Sequence, residues 1–268
     1  MTKKHFTVFI QLFNKRALMR KAFLACLVIM LGILNTPAAA QEQDAMHRAD
    51  LLYAEGSMDS LKESVTRYKQ IGQQHPDSYE AFWKASRSCR VITRMAVIGE
   101  LDNLEEIGAT FGKQGMELAQ KAIALEPEKV EGHYYYAVNV GGYAKGASIW
   151  SILSEGLKDK AQKHLKKAYE IDREYNGFVL LMHMGLYYEV LPWYAGQDKD
   201  KALEHYREAL LLMPEQSPYR SQLHVLAGKL MLVQGVEKNR GRQLLRKAAE
   251  SDSRYFSNKA LEILAEHG

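Results

Sequence analysis

One spacing recurs along this chain and restricts it to stacked helices: a small residue, a bulky one four later, a small one three further on, and a helix end five beyond that. The copies are Gly115-Ala119-Ala122-Pro127, Ala161-Leu165-Ala168-Arg173, Ala202-Tyr206-Ala209-Pro214 and Gly241-Leu245-Ala248-Ser253, with a weaker one at Ser64-Tyr68-Ile71-Pro76. Steps of four and three place all three residues on one helical face, and the small ones let a neighbouring helix approach closely. Proline at the end cannot continue the helix, because it lacks the N–H and its ring clashes with the preceding turn.

After each terminator comes a second kind of helix: Phe82-Ala85-Ser86-Cys89, His133-Tyr136-Ala137-Val140, Leu181-Met184-Gly185-Tyr188 and His224-Ala227-Gly228-Met231. Alternation of two such helices resembles the tetratricopeptide (TPR) repeat. The expected fold is all-α, a TPR-like α-solenoid of about five irregular helix pairs plus a C-terminal capping helix. The first helix of the first pair falls near Ala45 to Ala54. The cap covers Arg254 to Glu266, with Tyr255, Phe256, Ala260, Leu261 and Leu264 as its apolar stripe.

The repeat is interrupted in a regular place. From the small residue of a first helix to that of its partner a TPR needs about twelve residues, whereas Ser86 to Gly115 spans 29 and Ala137 to Ala161 spans 24. The extra residues therefore lie inside the hairpins, along one edge of the stack, where a binding site is readily built. They are apolar: Tyr143, Trp150, Ile152 and Leu153 in the 141–158 segment, Trp193 and Tyr194 in the 191–196 segment. Such groups must be covered, either by folding back to extend the core or by a ligand or partner.

The inner groove of such a stack is lined by the first helices. By register it takes Glu80, Trp83, Arg87 and Arg90, then Tyr134 and Val138, then Met182 and Leu186, then Val225 and Lys229. Two arginines a helical turn apart beside Trp83 either receive a carboxylate from a ligand or partner, or form a solvated face with salt bridges to Glu80. No P-loop, dinucleotide fingerprint, zinc-protease motif or nucleophile elbow occurs, so an enzyme, a cofactor or a metal site is not expected. His133, His164, His183, His205 and His224 lack paired metal spacing, and His133 and His224 share a repeat position that suits interhelix packing. Cys89 occupies a core slot and reads as an inert thiol.

The formal charge of +4 is uneven. Residues 1–40 hold six of the 36 basic groups and none of the 32 acidic ones, which leaves 30 basic and 32 acidic elsewhere, a net of −2. A near-neutral body has no general drive toward nucleic acid. Arg20 and Lys21 precede the apolar run from Ala22 to Leu34, and small residues reach Ala40, which reads as a cleavable signal peptide over residues 1–40 ahead of a repeat domain at 41–268. Met19 offers a second start, and Cys26 lies within the apolar run rather than closing it as a lipoprotein cysteine would.

Across 44–253 the chain resembles the T-component family of tripartite ATP-independent periplasmic (TRAP) transporters. The resemblance is carried by Gly132-His133-Tyr134-Tyr135-Tyr136-Ala137-Val138-Asn139, the helix at 159–172, and Gly185-Leu186-Tyr187 to Leu191-Pro192 followed by Gly196 to Pro214. It implies an exported, periplasmic helper in solute uptake that partners a solute-binding protein, with an apolar passage for a hydrophobic ligand and with self-association. The other reading is a general cell-envelope scaffold unconnected with transport. The microtubule-dynamics regulator family has a similar repeat body, and the bacterial-type signal argues against it. If the signal is cut after Ala40, the exported protein begins at Gln41; N-terminal sequencing that returned Met1, Met19 or a lipid-bearing Cys26 would refute this.

Overall fold

The computed structural model describes residues 40–267, and the expected signal segment with Cys26 and Met19 lies outside them except for Ala40. The chain divides into two units at Leu51/Leu52. In the first, residues 40–51 are helical and Arg48 pairs with Asp44 one turn away at 2.6 Å.

The second unit opens with helical residues 52–55 and then holds twelve α-helices among the described residues. These are α1 (Met58–Gln74), α2 (Tyr79–Ile98), α3 (Leu104–Ile107), α4 (Lys113–Leu125), α5 (Val130–Tyr143), α6 (Ile149–Ser154), α7 (Leu157–Ile171), α8 (Tyr175–Val190), α9 (Lys199–Leu212), α10 (Arg220–Gln234), α11 (Lys238–Ala249) and α12 (Arg254–Glu266). Helices α2, α5, α8 and α10 are the first helices of successive pairs, and α4, α7, α9 and α11 are their partners. Each first helix packs on its own partner and on the second helix of the pair before it, as α5 does on α7 and α4. This is the alternating contact pattern of a TPR-like repeat fold.

Close approach is what the small residues provide. Ala119, Ala122, Ala168, Ala202, Ala209 and Ala248 are all fully buried. At two pairs even a methyl group is too large: a Cβ on Gly185 would lie 2.5 Å from the Tyr206 ring, and one on Gly228 would lie 2.9 Å from the Gly241 carbonyl. The matching bulky residues, Tyr68, Tyr206 and Leu245, are fully buried. Buried polar groups tie three helices together. The Asn139 amide on α5 donates to the Ser86 carbonyl at 3.1 Å and hydroxyl at 3.0 Å, and the Ser86 hydroxyl donates to the Gly115 carbonyl on α4 at 2.8 Å. A buried amide nitrogen that donates across two helices in this way fixes their register.

The extra residues lie inside the hairpins as the spacing predicts: α3 and a π-helical turn (Gly108–Gly112) between α2 and α4, α6 between α5 and α7, and a 3-10 turn (Trp193–Ala195) between α8 and α9. Ser148 and Asp198 accept from the backbone N–H groups of Ser151 and Lys201, at 3.1 and 3.0 Å, and so start α6 and α9. The entry to α8 differs from a plain helix start. Asn176, Gly177 and Phe178 have φ of 49°, 66° and 64°, a left-handed turn that costs energy at the two non-glycine positions.

The cap differs from expectation in its stripe. Phe256, Ala260 and Ile263 of α12 pack with Leu245, Ala248, Val225 and Leu232, while Leu261 points to solvent. Steps of four and three again select the buried face, and Leu261 falls one residue off it.

Substitutions that fill the helix contacts test this packing. Ala168→Leu, Ala209→Leu and Gly185→Ala should each lower stability by roughly 1–3 kcal/mol through overpacking, read from chemical denaturation, whereas exposed Lys166→Ala should leave the midpoint in place.

Candidate functional site

Helix α2 carries two faces. Ala85, Cys89, Ile92 and Ala96 are fully buried against neighbouring helices. Trp83, Arg87, Arg90 and Arg94 follow at spacings of four, three and four on the other side, and all are half-buried. Side chains from the other first helices meet that stripe. The Trp83 and Tyr135 rings stack at 6.0 Å, Tyr134 lies 5.2 Å from Tyr175 and 5.6 Å from His183, and His183 lies 6.3 Å from Tyr219. The Arg94 guanidinium then sits 5.2 Å from the Tyr219 ring, which closes a circuit from α2 through α5 and α8 to the start of α10. Arg87 is held between Tyr53, at 3.7 Å, and Trp83, at 5.0 Å.

Electrostatics there are unusual. Burial lowers the Arg90 pKa, and the positive charge of Arg94 adds to this. No ion pair among the described residues includes Arg90 or Arg94. Of the acids on this side, Glu80 is held by Lys84 at 2.6 Å and Glu131 accepts from the Tyr79 hydroxyl at 2.8 Å. Burial, reinforced by the charges of Arg90 and Arg94, lowers the His183 pKa to about 3, so the ring is neutral at pH 7. Its Nδ1 lies 3.1 Å from the Val179 carbonyl, which can only accept. The proton is therefore on Nδ1, and Nε2 is a bare acceptor, buried and without a partner among the described residues. Arg94 Nε is buried without a partner too. Burial raises the Tyr134 and Tyr135 hydroxyls well above the usual range, so both stay neutral.

Trp83, Arg87 and Arg90 thus lie together, and Tyr134 joins them as a buried wall. Met182 is fully buried in the main core, and Val138 is buried as well, so neither lines an accessible groove. Both positions belong to the main core cluster, packed among side chains of neighbouring helices. Leu186 is half-buried, and Glu189 on the same helix accepts from the Tyr206 hydroxyl at 2.6 Å. Glu80 pairs with Lys84, not with the arginines beside it. Arg94 repeats the stripe one turn further and was legible from spacing alone; Tyr175, His183 and Tyr219 carried no such signal, since their meeting depends on how four pairs stack.

The hairpin edge is not simply an extension of the core. Ile152 is buried and Tyr143 packs against the core, but Trp150 is 71% exposed, Trp193 83% and Tyr194 53%. The Trp193 and Tyr194 rings meet edge to face at 5.6 Å.

Two histidines that lack metal spacing in sequence do come together. His133 Nε2 donates to the Pro127 carbonyl at 2.8 Å, which leaves its Nδ1 to accept from His164 Nδ1 at 2.7 Å. The pair joins α5 to α7 as interhelix packing. Among the described residues no group of three or more His, Cys, Asp or Glu could hold a metal, and no helix is long and apolar enough to cross a membrane. Cys89 is fully buried, and burial raises its thiol pKa.

A family model described as regulator of microtubule dynamics protein 1-3 matches residues 45–194. Regulator of microtubule dynamics protein 1 of Mus musculus is 23% identical over 167 residues, covering 59% of this chain and 48% of the mouse protein. The chain therefore spans about half the length of that curated relative. TTC0263, a thermophilic TPR protein in Thermus thermophilus, aligns with a TM-score of 0.58 and 19% identity over 84% of this chain and 99% of that one. YrrB, a TPR protein with an unusual peptide-binding site, aligns with a TM-score of 0.45 and 15% identity over 82% and 90%. The microtubule-dynamics regulator family, set aside above on the strength of the signal-like leader, is thus the family matched, and the TRAP T-component family is not.

The buried histidines give the protein a defined acid response. Burial lowers His164 and His224 to about 4 and His183 to about 3. In the unfolded chain these rings titrate near about 6.5. Below that pH the unfolded state takes up protons that the folded state refuses, so their contribution is complete above about 6.5 and falls as pH drops. Denaturation midpoints should decline between about pH 6.5 and 5, above the carboxylate range, and His183→Gln should make the decline shallower; a flat profile would contradict the neutral, buried rings.

Proposed function

Because the chain belongs to the regulator of microtubule dynamics protein 1-3 family and has a TPR-like repeat fold, we propose that it is a protein-interaction scaffold whose work is binding rather than catalysis. The observation that carries this reading is the exposure of Trp150, Trp193 and Tyr194 on the hairpin insertions. Large aromatic rings left in water are the side chains from which interfaces draw most of their energy. Here they sit on short elements anchored to the stack by buried Ile152 and Leu191, so they are presented without a large ordering cost on binding.

Two narrower readings differ in the partner. The resemblance at 132–139 and 185–214, together with the signal-like leader, supports an exported, periplasmic accessory of a TRAP solute uptake system that binds the solute-binding protein; the same leader supports a cell-envelope scaffold of other purpose. The mouse relative's name refers to microtubule dynamics, and the family match favours testing that partner as well. Crosslinking from cells followed by identification of the captured protein, alongside co-sedimentation with microtubules, separates these readings.

Trp150→Ala and Trp193→Ala should each weaken the captured partner's binding by about tenfold or more, roughly 1.4 kcal/mol. Their thermal midpoints should match the parent, because both rings are mostly in solvent. Normal binding by both variants would remove the hairpin edge from the interface.

A further inference from the structure

The connections inside successive hairpins touch one another and so make one continuous surface. The first, between α2 and α4, meets the second at the close approach of Gly112 to Tyr143 and of Gly146 to the Glu105 carbonyl. The second meets the third where Gln162 donates to the Tyr188 hydroxyl at 3.0 Å, and the third meets the fourth where Gln234 donates to Asp200 at 3.0 Å. Trp150, Trp193 and Tyr194 stand exposed on this surface, with Val190, Val233 and Val236 beside them. An aromatic side chain covers about 150–250 Å² when buried. Three rings, each more than half exposed, therefore supply roughly half of the ~800 Å² that each partner gives to a stable protein interface.

Charge on the same surface is divided by sign. The first connection carries Glu100, Asp102, Glu105 and Glu106, all exposed and none in an ion pair among the described residues. The other three carry Lys145, Lys160, Lys199 and Lys238, which likewise have no carboxylate partner among the described residues. Apart from Glu155, the acids near these lysines are engaged: Asp159, Asp198 and Glu237 by Lys158, Lys201 and Arg240, and Asp200 by Gln234. An anionic lipid surface would be repelled by the first connection, and a partner of a single sign would be repelled by one part of the surface or the other. The complement has to be apolar and to carry both signs. A second copy of this surface supplies that: related by a two-fold axis, the acidic connection of each copy faces basic connections of the other, and every such contact occurs twice.

We propose that the hairpin edge joins two copies of this chain in an antiparallel, two-fold dimer, with Trp150, Trp193 and Tyr194 at its centre and the acids of the first connection set against the lysines of the other copy. This rests on the reading of that edge as a protein interface and names the protein that covers it. The rings supply the apolar centre, and the opposed charges at the rim fix which way round the two copies meet.

Sedimentation velocity on the full chain across the micromolar range is the measurement. The parent should dimerise, and Trp193→Ala should weaken the dimer by about tenfold or more. Glu105→Lys with Glu106→Lys reverses the acidic connection, and Lys199→Glu with Lys238→Glu reverses the basic ones. Either variant alone should stay monomeric, because both contacts across the two-fold become repulsive. Mixed in equal amounts, the two variants should form a heterodimer, in which both contacts are attractive again. Association through any other surface would not respond in this way. A parent that stays monomeric throughout, or a dimer indifferent to Trp193→Ala and to both charge reversals, would overturn the proposal. If Trp193→Ala nevertheless weakened the captured partner's binding, the scaffold reading would stand without the dimer. Mixed variants that remain monomeric would also overturn it, since the opposed charges would then not face one another. Trp193-dependent co-sedimentation of a monomeric chain with phosphatidylserine–phosphatidylcholine vesicles would overturn it in favour of a lipid surface.

Discussion

Everything in the repeat body depends on how closely two helix backbones can approach. At α8–α9 and α10–α11 the limit is reached, because Gly185 and Gly228 leave no room for a methyl group beside Tyr206 and Gly241. Tight backbone contact fixes both the separation and the crossing of the helices, since a side chain any larger would splay them. The large rings and leucines then fill the space on either side, and each pair repeats the geometry of the last. Small errors in that geometry would accumulate along a stack. The convergence of α2, α5, α8 and the start of α10 on one place is therefore a consequence of packing set by alanine and glycine.

That convergence carries a cost in desolvation. Arg90, Arg94 and His183 are drawn wholly or partly out of water by the packing of the first helices, and the chain answers with neutrality and aromatic faces, not with acids. His183 stays uncharged, Tyr134 and Tyr135 stay protonated, and Tyr219 lies under Arg94. An interior arranged purely for stability would place apolar groups or a bidentate carboxylate here.

The hairpin insertions follow a different balance of forces. Each uses one apolar residue for anchorage, as Ile152 and Leu191 do, and leaves its largest ring in solvent. The inner side and the edge are thus separate surfaces with separate chemistry, one charged and enclosed, the other aromatic and open. Family membership is consistent with an interaction protein and says less about its partner, because the chain corresponds to about half of the mouse relative.

What the sequence determined by itself was local and periodic. Small residues at steps of four and three, prolines at helix ends and extra residues within hairpins are short-range signals, and they were sufficient for helix pairs, their order, the insertions and the stripe bearing Trp83, Arg87 and Arg90. They also made a buried Cys89 and a packed His133 legible. The apolar character of Trp150 and Trp193 was visible too, but not which way they face, because exposure depends on whether a neighbouring pair covers them. Tertiary structure alone decided that Met182 is sealed in the core, that His133 reaches His164, and that Arg94 meets Tyr219 although they are far apart in the chain. The Arg94–Tyr219 meeting spans several stacked pairs, and no single repeat contains the geometry that brings it about.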